Sequence, residues 1–140
     1  MLNFRGKVFK FESYKFSDGT SHDKLLVFLN NGALEKYFIV LLTTSQPRYF
    51  NKIGIKTEGC HSKNNVFFYK GKPFDKPTYI KFDPESVKLF NYANIIQSSI
   101  DGFLKSDPIG EIPEYTLKQI INCFKNSDDY VEGIYNTLLI

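Results

Sequence analysis

Two uninterrupted apolar runs, separated by a turn signal, limit what this chain can fold into. The first is Lys24-Leu25-Leu26-Val27-Phe28-Leu29 and the second is Tyr37-Phe38-Ile39-Val40-Leu41-Leu42. A short continuous apolar run is typical of a strand that is buried on both faces. Asn30-Asn31-Gly32, which follows the first run, favours a chain reversal. The pattern therefore predicts antiparallel strands over residues 24–30 and 37–43.

Further strands are predicted on both sides of this pair. Residues 7–13 alternate apolar and polar side chains, which indicates a strand with one buried face, and Ser17-Asp18-Gly19-Thr20 then turns the chain. These three strands form an antiparallel meander. Residues 46–65 resemble a long loop, residues 66–69 and 78–82 read as two more strands, and residues 92–100 fit either a strand or a short helix. The aromatic share of 16% supports β structure.

The period changes in the last third of the chain. Leu117, Ile120, Ile121 and Phe124 recur at helical spacing, so residues 114–125 are predicted to form a helix. A second helix is expected after Ser127, which would cap its first turn. Strands first and helices last indicate an α+β fold, a small antiparallel barrel closed or flanked by helices, in a single domain over residues 1–140.

The charge distribution and the cysteines suggest where the chain works. Residues 1–70 carry a charge of +6 and residues 71–140 carry −3. A basic half attracts phosphate groups, although a solvated charged surface is the alternative. We expect a cytoplasmic protein without a membrane span, since no signal core opens the sequence and no apolar run reaches 18 residues. Cys60 and Cys123 are expected to form neither a zinc site nor a redox pair, because their spacing fits neither, and Cys123 lies in an amphipathic helical pattern that predicts a buried small hydrophobic side chain.

Candidate chemistry is concentrated in two short polar segments. The sequence lacks a Walker loop, a dinucleotide-binding glycine motif, a nucleophile elbow and a zinc-protease motif. His22, Asp23 and Lys24 lie where a hairpin loop enters a strand, and Thr44 and Ser45 lie where the next strand ends. The hairpin register places position 24 beside a position near 43, so Lys24, Thr44 and His22 are predicted to share one surface pocket. An ordinary polar turn is the alternative.

The order of these segments resembles the MazF/PemK/Kid family of toxin ribonucleases. The similarity extends over nearly the whole chain in short pieces. Lys24 matches the position of the family's catalytic arginine, Leu25 matches the proline after it, and Ser98 matches a second arginine. The matching pieces are Gly6-Lys7-Val8, residues 24–28, Ile39-Val40-Leu41-Leu42-Thr43-Thr44-Ser45, residues 78–83, residues 96–104 and Ile109-Gly110-Glu111-Ile112.

The resemblance implies an SH3-like barrel and a metal-independent endoribonuclease that needs no cofactor. Its substrate would be single-stranded RNA, and its partners a small antitoxin protein and a second copy of the chain. Lys24 would neutralise phosphate charge, Thr44 would donate a hydrogen bond to a phosphate oxygen, and His22 would be the acid or base. The residues expected to bind RNA are Ser45, Asp23 and Arg48.

Two alternatives stay open at this stage. One is a non-catalytic SH3-like barrel that binds nucleic acid or a protein partner, which the replacement of arginine by Lys24 favours, because lysine lacks the bidentate fork. The other is a toxin of the same fold that acts on a protein target such as a topoisomerase.

Overall fold

An antiparallel sheet with a few short helices makes up the structure, a computed structural model that describes residues 3–33, 36–46, 48, 52 and 54–139. Strands dominate the first two thirds of the chain and helices the last third. The elements are β1 (Lys7–Lys15), β2 (Ser21–Phe28), β3 (Phe38–Thr44), β4 (Gly59–His61), a 3₁₀ turn (Ser62–Asn64), β5 (Val66–Tyr69), β6 (Thr78–Lys81), β7 (Val87–Phe90), α1 (Tyr92–Ile100), β8 (Gly110–Glu111), α2 (Glu114–Lys125) and α3 (Glu132–Tyr135).

The strands form one sheet in which most adjacent strands are also neighbours in the sequence. The strand order runs β4-β5-β6-β3-β2-β1-β8, with β7 also paired to β3. The predicted meander of β1, β2 and β3 is confirmed, with Val27 opposite both Val8 and Leu41. Along its other edge, β3 pairs first with β7 through residues 38–41 and then with β6 through Thr43 and Thr44. The fold is therefore α+β, with a small sheet curled into a half-barrel.

Both faces are buried along β3 and along the second half of β2, from Leu26 to Phe28, as the apolar runs predict. Successive residues enter two different clusters, because strand side chains alternate between faces. Val27 and Leu29 pack into one cluster, while Leu26 and Phe28 pack into the other. β3 alternates in the same way from Phe38 to Leu42, and all seven of its residues are buried. This double burial is why neither run shows polar alternation.

The two longer helices cover opposite faces of the sheet. α2 has the bounds that its sequence predicts, and Leu117, Ile120 and Phe124 pack it onto the face that carries Val27. α1 covers the Phe28 face through Ile95. Residues 92–100 are thus the helix, and not the strand, of the two alternatives. None of the described helices is long and apolar enough to cross a membrane.

The expectation that Cys60 and Cys123 form no redox pair is wrong. Cys60 on β4 and Cys123 on α2 form a disulfide, with Cα atoms 5.6 Å apart and a sequence separation of 63. Cys123 is buried, as predicted, but its sulfur is bonded. Chain spacing does not show this pairing, because the packing of α2 against β4 brings the two residues together.

Two other expectations are also wrong. Ser127 does not cap the last helix: its Oγ donates to the carbonyl oxygen of Phe124, and α3 begins later, after Val131. The predicted loop over residues 46–65 contains β4, which pairs with β5, and the 3₁₀ turn, which leads into β5. Residues 47, 49–51 and 53 of that loop lie outside the described residues.

Candidate functional site

The polar residues singled out from the sequence lie at one end of one sheet face. His22 and Lys24 continue the alternation of Leu26 and Phe28 along β2, and Thr44 continues that of Leu42 along β3. Leu26 pairs with Leu42, so the same register extended by two residues places Lys24 opposite Thr44. Directly opposed residues present their side chains on the same face. The apolar face therefore ends in a polar group of side chains.

These side chains line a cavity that we call the cationic cavity. Its volume is about 520 Å³, and a smaller depression of about 100 Å³ adjoins it. The smaller depression shares four residues with the cavity and adds Ser45, Leu25, Thr43 and Thr78. The residues of the cationic cavity are His22, Asp23, Lys24, Thr44, Gln46, Arg48, Lys52 and Lys81.

The predicted site residues therefore lie together. His22, Lys24 and Thr44, for which catalytic roles are predicted, line the cationic cavity, and so does Arg48. Asp23 lines both depressions, and Ser45 lines only the smaller one. The geometry brings the six residues to one place, while their chemical roles stay predictions.

Lys24 is the half-buried cation of this cavity. Its Nζ donates to the carbonyl oxygen of Thr43 at 3.3 Å and lies 5.5 Å from the centre of the Phe16 ring. Burial lowers the pKa of Lys24, and the positive charge of Lys81 lowers it further. Both causes penalise the charged ammonium, so an anion that enters the cavity relieves an unfavourable charge.

Thr44 supplies a buried hydroxyl at the end of β3. Its Oγ1 accepts a hydrogen bond from the backbone N–H of Gln46 at 3.3 Å, which leaves the hydroxyl proton to be donated. Thr43, on the opposite sheet face, donates its own hydroxyl to the carbonyl oxygen of Leu25 at 2.8 Å. The proton of the Thr44 hydroxyl is thus left for a ligand in the cavity, whereas the Thr43 hydroxyl bonds β3 to β2.

His22 and Asp23 differ in what holds them. The exposed imidazole of His22 lies 5.9 Å from the Phe16 ring, centre to centre. Asp23 Oδ1 accepts the backbone N–H of Ser13 at 3.0 Å, and its Oδ2 lies 3.8 Å from Lys10 Nζ. The Asp23 carboxylate therefore connects β2 to β1. This structural role differs from the contact with RNA that the sequence predicts for Asp23.

The electrostatics of the cavity favour an anion. Among the described residues that line it, the basic ones are Lys24, Arg48, Lys52 and Lys81, and Asp23 is the one acid. Clustered positive charge of this kind draws phosphate groups by Coulomb attraction. Lys81 Nζ lies 3.9 Å from Asp83 Oδ1, so the Asp83 carboxylate offsets part of the positive potential of Lys81.

Sequence reasoning missed Lys81, Lys52 and Gln46. Lys81 ends β6, and the pairing of Thr44 with Tyr79 carries it to this end of β3. A basic residue at a strand end was a visible signal, but the order β6-β3 was not visible in the sequence. Gln46 follows directly after Thr44 and Ser45 in the sequence, and this proximity was a signal that it could belong to the same site.

The residues that the structure describes hold no group of three His, Cys, Asp or Glu side chains arranged to bind a metal ion. No protein-family model matches this chain, and no curated protein sequence matches it significantly.

Proposed function

We propose that this chain is a metal-independent endoribonuclease that cleaves single-stranded RNA at the cationic cavity. The observation that carries the proposal is the half-buried Lys24, which lines one cavity together with further basic groups and with Thr44, whose hydroxyl can donate. This combination suits a phosphodiester whose charge grows in the transition state.

The proposed step is an internal transesterification. The 2′-oxygen of the RNA attacks the adjacent phosphorus, the bond to the 5′-oxygen breaks, and a 2′,3′-cyclic phosphate remains. One proton leaves the 2′-hydroxyl and one reaches the departing 5′-oxygen. His22, at the exposed rim, is the candidate to move a proton, because imidazole serves as both base and acid.

Lys24 and Thr44 would stabilise the pentacoordinate phosphorane. One of the three Lys24 N–H groups is engaged by the Thr43 carbonyl, so two are left for phosphate oxygens. Because burial disfavours the charge of Lys24, part of the stabilisation that Lys24 provides appears only when phosphate charge is present. Thr44 would donate to a non-bridging oxygen.

The biological setting is proposed from the resemblance of the sequence to the MazF/PemK/Kid family. We propose the SH3-like version of this curled sheet, a homodimer, a cytoplasmic location and a small antitoxin protein as the inhibitor. Disulfides are rare in a reducing cytoplasm, so the thiol form of Cys60 and Cys123 is then the form to assay alongside the disulfide form.

A non-catalytic barrel that binds nucleic acid is the second candidate. It is favoured by the lysine at position 24, which gives a point charge in place of the bidentate contact of arginine. It is also favoured by Asp23, whose carboxylate is held by Ser13 and is not free to orient His22. Both candidates predict RNA binding at the cationic cavity, and only one predicts cleavage.

The test is incubation of the purified chain with a long single-stranded RNA in EDTA. We expect fragments that end in 2′,3′-cyclic phosphate. Lys24→Met should abolish cleavage and Lys24→Arg should retain it. Lys118→Met is the matched control, because Lys118 is exposed on α2, which covers the opposite sheet face. It should cleave at the wild-type rate.

The outcomes separate the candidates. Cleavage that survives Lys24→Met refutes the assigned site. RNA binding without cleavage, at any divalent-ion concentration, refutes the enzyme and supports the non-catalytic barrel.

A further inference from the structure

A bulge in β1 aligns aromatic rings with the candidate catalytic side chains. Phe11 is opposite Lys24, but Tyr14 is opposite His22, so β1 gains one residue between these two pairs. Ser13, inside the irregularity, has a φ of 54°. Residues three apart in a regular strand face opposite sides, and the extra residue lets Phe11 and Tyr14 face the same side.

The result is a continuous row of rings, which we call the aromatic row. It consists of Phe103, Phe11, Tyr14 and Phe16 and ends at His22. Successive ring centres are 6.2, 5.4, 5.2 and 5.9 Å apart. Lys24 Nζ lies 5.5 Å from the Phe16 ring, so the row ends at the cationic cavity.

Beside the first three rings lies an open groove of about 640 Å³. Its walls are β1 on one side and β7 with α1 on the other. The volume is within the range of about 300–1,000 Å³ that is usual for sites of small ligands. Phe103 is 43% exposed, so its ring is accessible from solvent. Polar groups of Asn94, Gln97, Ser98 and Lys15 interrupt the apolar lining.

We propose that the groove binds the bases of single-stranded RNA and that the aromatic row carries the strand from the groove to the cationic cavity. The inference rests on the proposed function and adds the base-binding subsite to it. Base stacking on aromatic side chains is the common means by which proteins hold unpaired strands, and it needs no particular base sequence.

The polar groups of the groove have donors and acceptors available for base edges. Asn94 Oδ1 accepts the backbone N–H of Asn91, which leaves the Asn94 amide nitrogen to donate. Gln97 Nε2 donates to Asp101 Oδ1 at 2.8 Å, which leaves the Gln97 carbonyl oxygen to accept. Lys15, at the strand end, supplies a positive charge for a neighbouring phosphate.

Charge and continuity favour RNA over another occupant. An apolar peptide or a second copy of the chain would use the rings of the groove, but neither explains why the row leads to Lys24 and its basic neighbours. A nucleic acid strand requires both features, stacking surfaces for its bases and cations for its phosphates.

The test uses a 2′-O-methyl RNA hexamer, which cannot be cleaved, with one 2-aminopurine placed in turn at each position. Binding is followed by fluorescence anisotropy and stacking by quenching of the 2-aminopurine. Phe103→Ala should weaken binding by roughly tenfold to a hundredfold and abolish the quenching at one position. Tyr115→Ala is the matched control, since Tyr115 is 76% exposed on α2. This variant should bind the hexamer with wild-type affinity.

A second variant protects against a folding artefact. Phe103→Leu keeps apolar volume without a stacking face, so it should retain the melting temperature and still lose the quenching. If both Phe103 variants bind the hexamer with wild-type affinity and quench 2-aminopurine as the wild type does, the inference is overturned and the proposed cleavage stays intact. Ring-dependent binding by a chain that cleaves no RNA supports the subsite and overturns the proposed enzyme. Dissociation of a dimer by Phe103→Ala, without any change in RNA binding, overturns the inference in favour of a second copy.

Discussion

Removing the disulfide should destabilise the chain strongly without disturbing the cationic cavity. Cys60 and Cys123 are 63 residues apart, and their bond fixes β4 to α2. For a loop of this length, the loss of chain entropy in the unfolded state corresponds to a stabilisation of about 4 kcal/mol. With an unfolding entropy of about 2.1 cal/mol/K per residue, this corresponds to a decrease in Tm of about 14 °C for a chain of this size.

Cys60→Ser is the variant of choice. Cys60 is exposed, whereas Cys123 is buried, so serine at position 60 leaves neither a cavity nor a buried hydroxyl. Circular dichroism melting curves should show the variant melting about 10–15 °C below the oxidised wild type. Dithiothreitol should lower the Tm of the wild type to that of the variant and leave the Tm of the variant unchanged.

Two results would refute this reasoning. One is a wild-type Tm that does not respond to dithiothreitol. The other is the detection of two free thiols in the unreduced, denatured chain, in place of none. RNA cleavage at 25 °C should persist in Cys60→Ser, because neither cysteine lines the cationic cavity.

Three further perturbations test the site and the core. Lys24→Met should raise the Tm at pH 7, because burial and the charge of Lys81 hold the pKa of Lys24 below its unfolded value. This gain should shrink as the pH rises above the lowered pKa, because the folded wild-type lysine then loses its proton. A lower Tm at pH 7 would contradict this. Thr44→Val should preserve the fold and slow single-turnover cleavage by about 10²–10³-fold, as expected for the loss of one hydrogen-bond donor to the phosphate; unchanged cleavage would remove Thr44 from the mechanism. Phe124→Ala should lower the free energy of unfolding by about 3–5 kcal/mol in urea titrations, because residue 124 is 1% exposed and its ring centre lies 5.6 Å from that of Phe82. A loss below about 1 kcal/mol would show that the ring is not in the core.

The candidate site was partly predictable because it depends on neighbouring strands. The turn after the first apolar run sets the register of β2 against β3, and this register alone brings Lys24 near Thr44. His22 follows, since it shares the strand face of Lys24. Lys81 was not predictable, because the pairing of β6 with β3 joins strands that are far apart in sequence.

The aromatic row shows a different limit. Each of its rings is visible in the sequence, but strict alternation would place Phe11 and Tyr14 on opposite faces. One additional residue in β1 reverses that assignment. A bulge depends on the local fit of two strands and of the elements around them, which the period of the side chains does not encode.

Elements with strong periodicity can be assigned from the amino-acid order alone. The doubly buried strands β2 and β3, the antiparallel meander and the bounds of α2 all follow from local pattern, because burial and turn chemistry act over a few neighbouring residues. Contacts between elements that are distant in sequence depend on the folded chain. The disulfide, the position of Lys81 in the cationic cavity and the groove between β1 and α1 each join segments far apart in sequence. Such contacts are selected by how the sheet curls and which face each helix covers, and that choice is made by the packing of the whole chain.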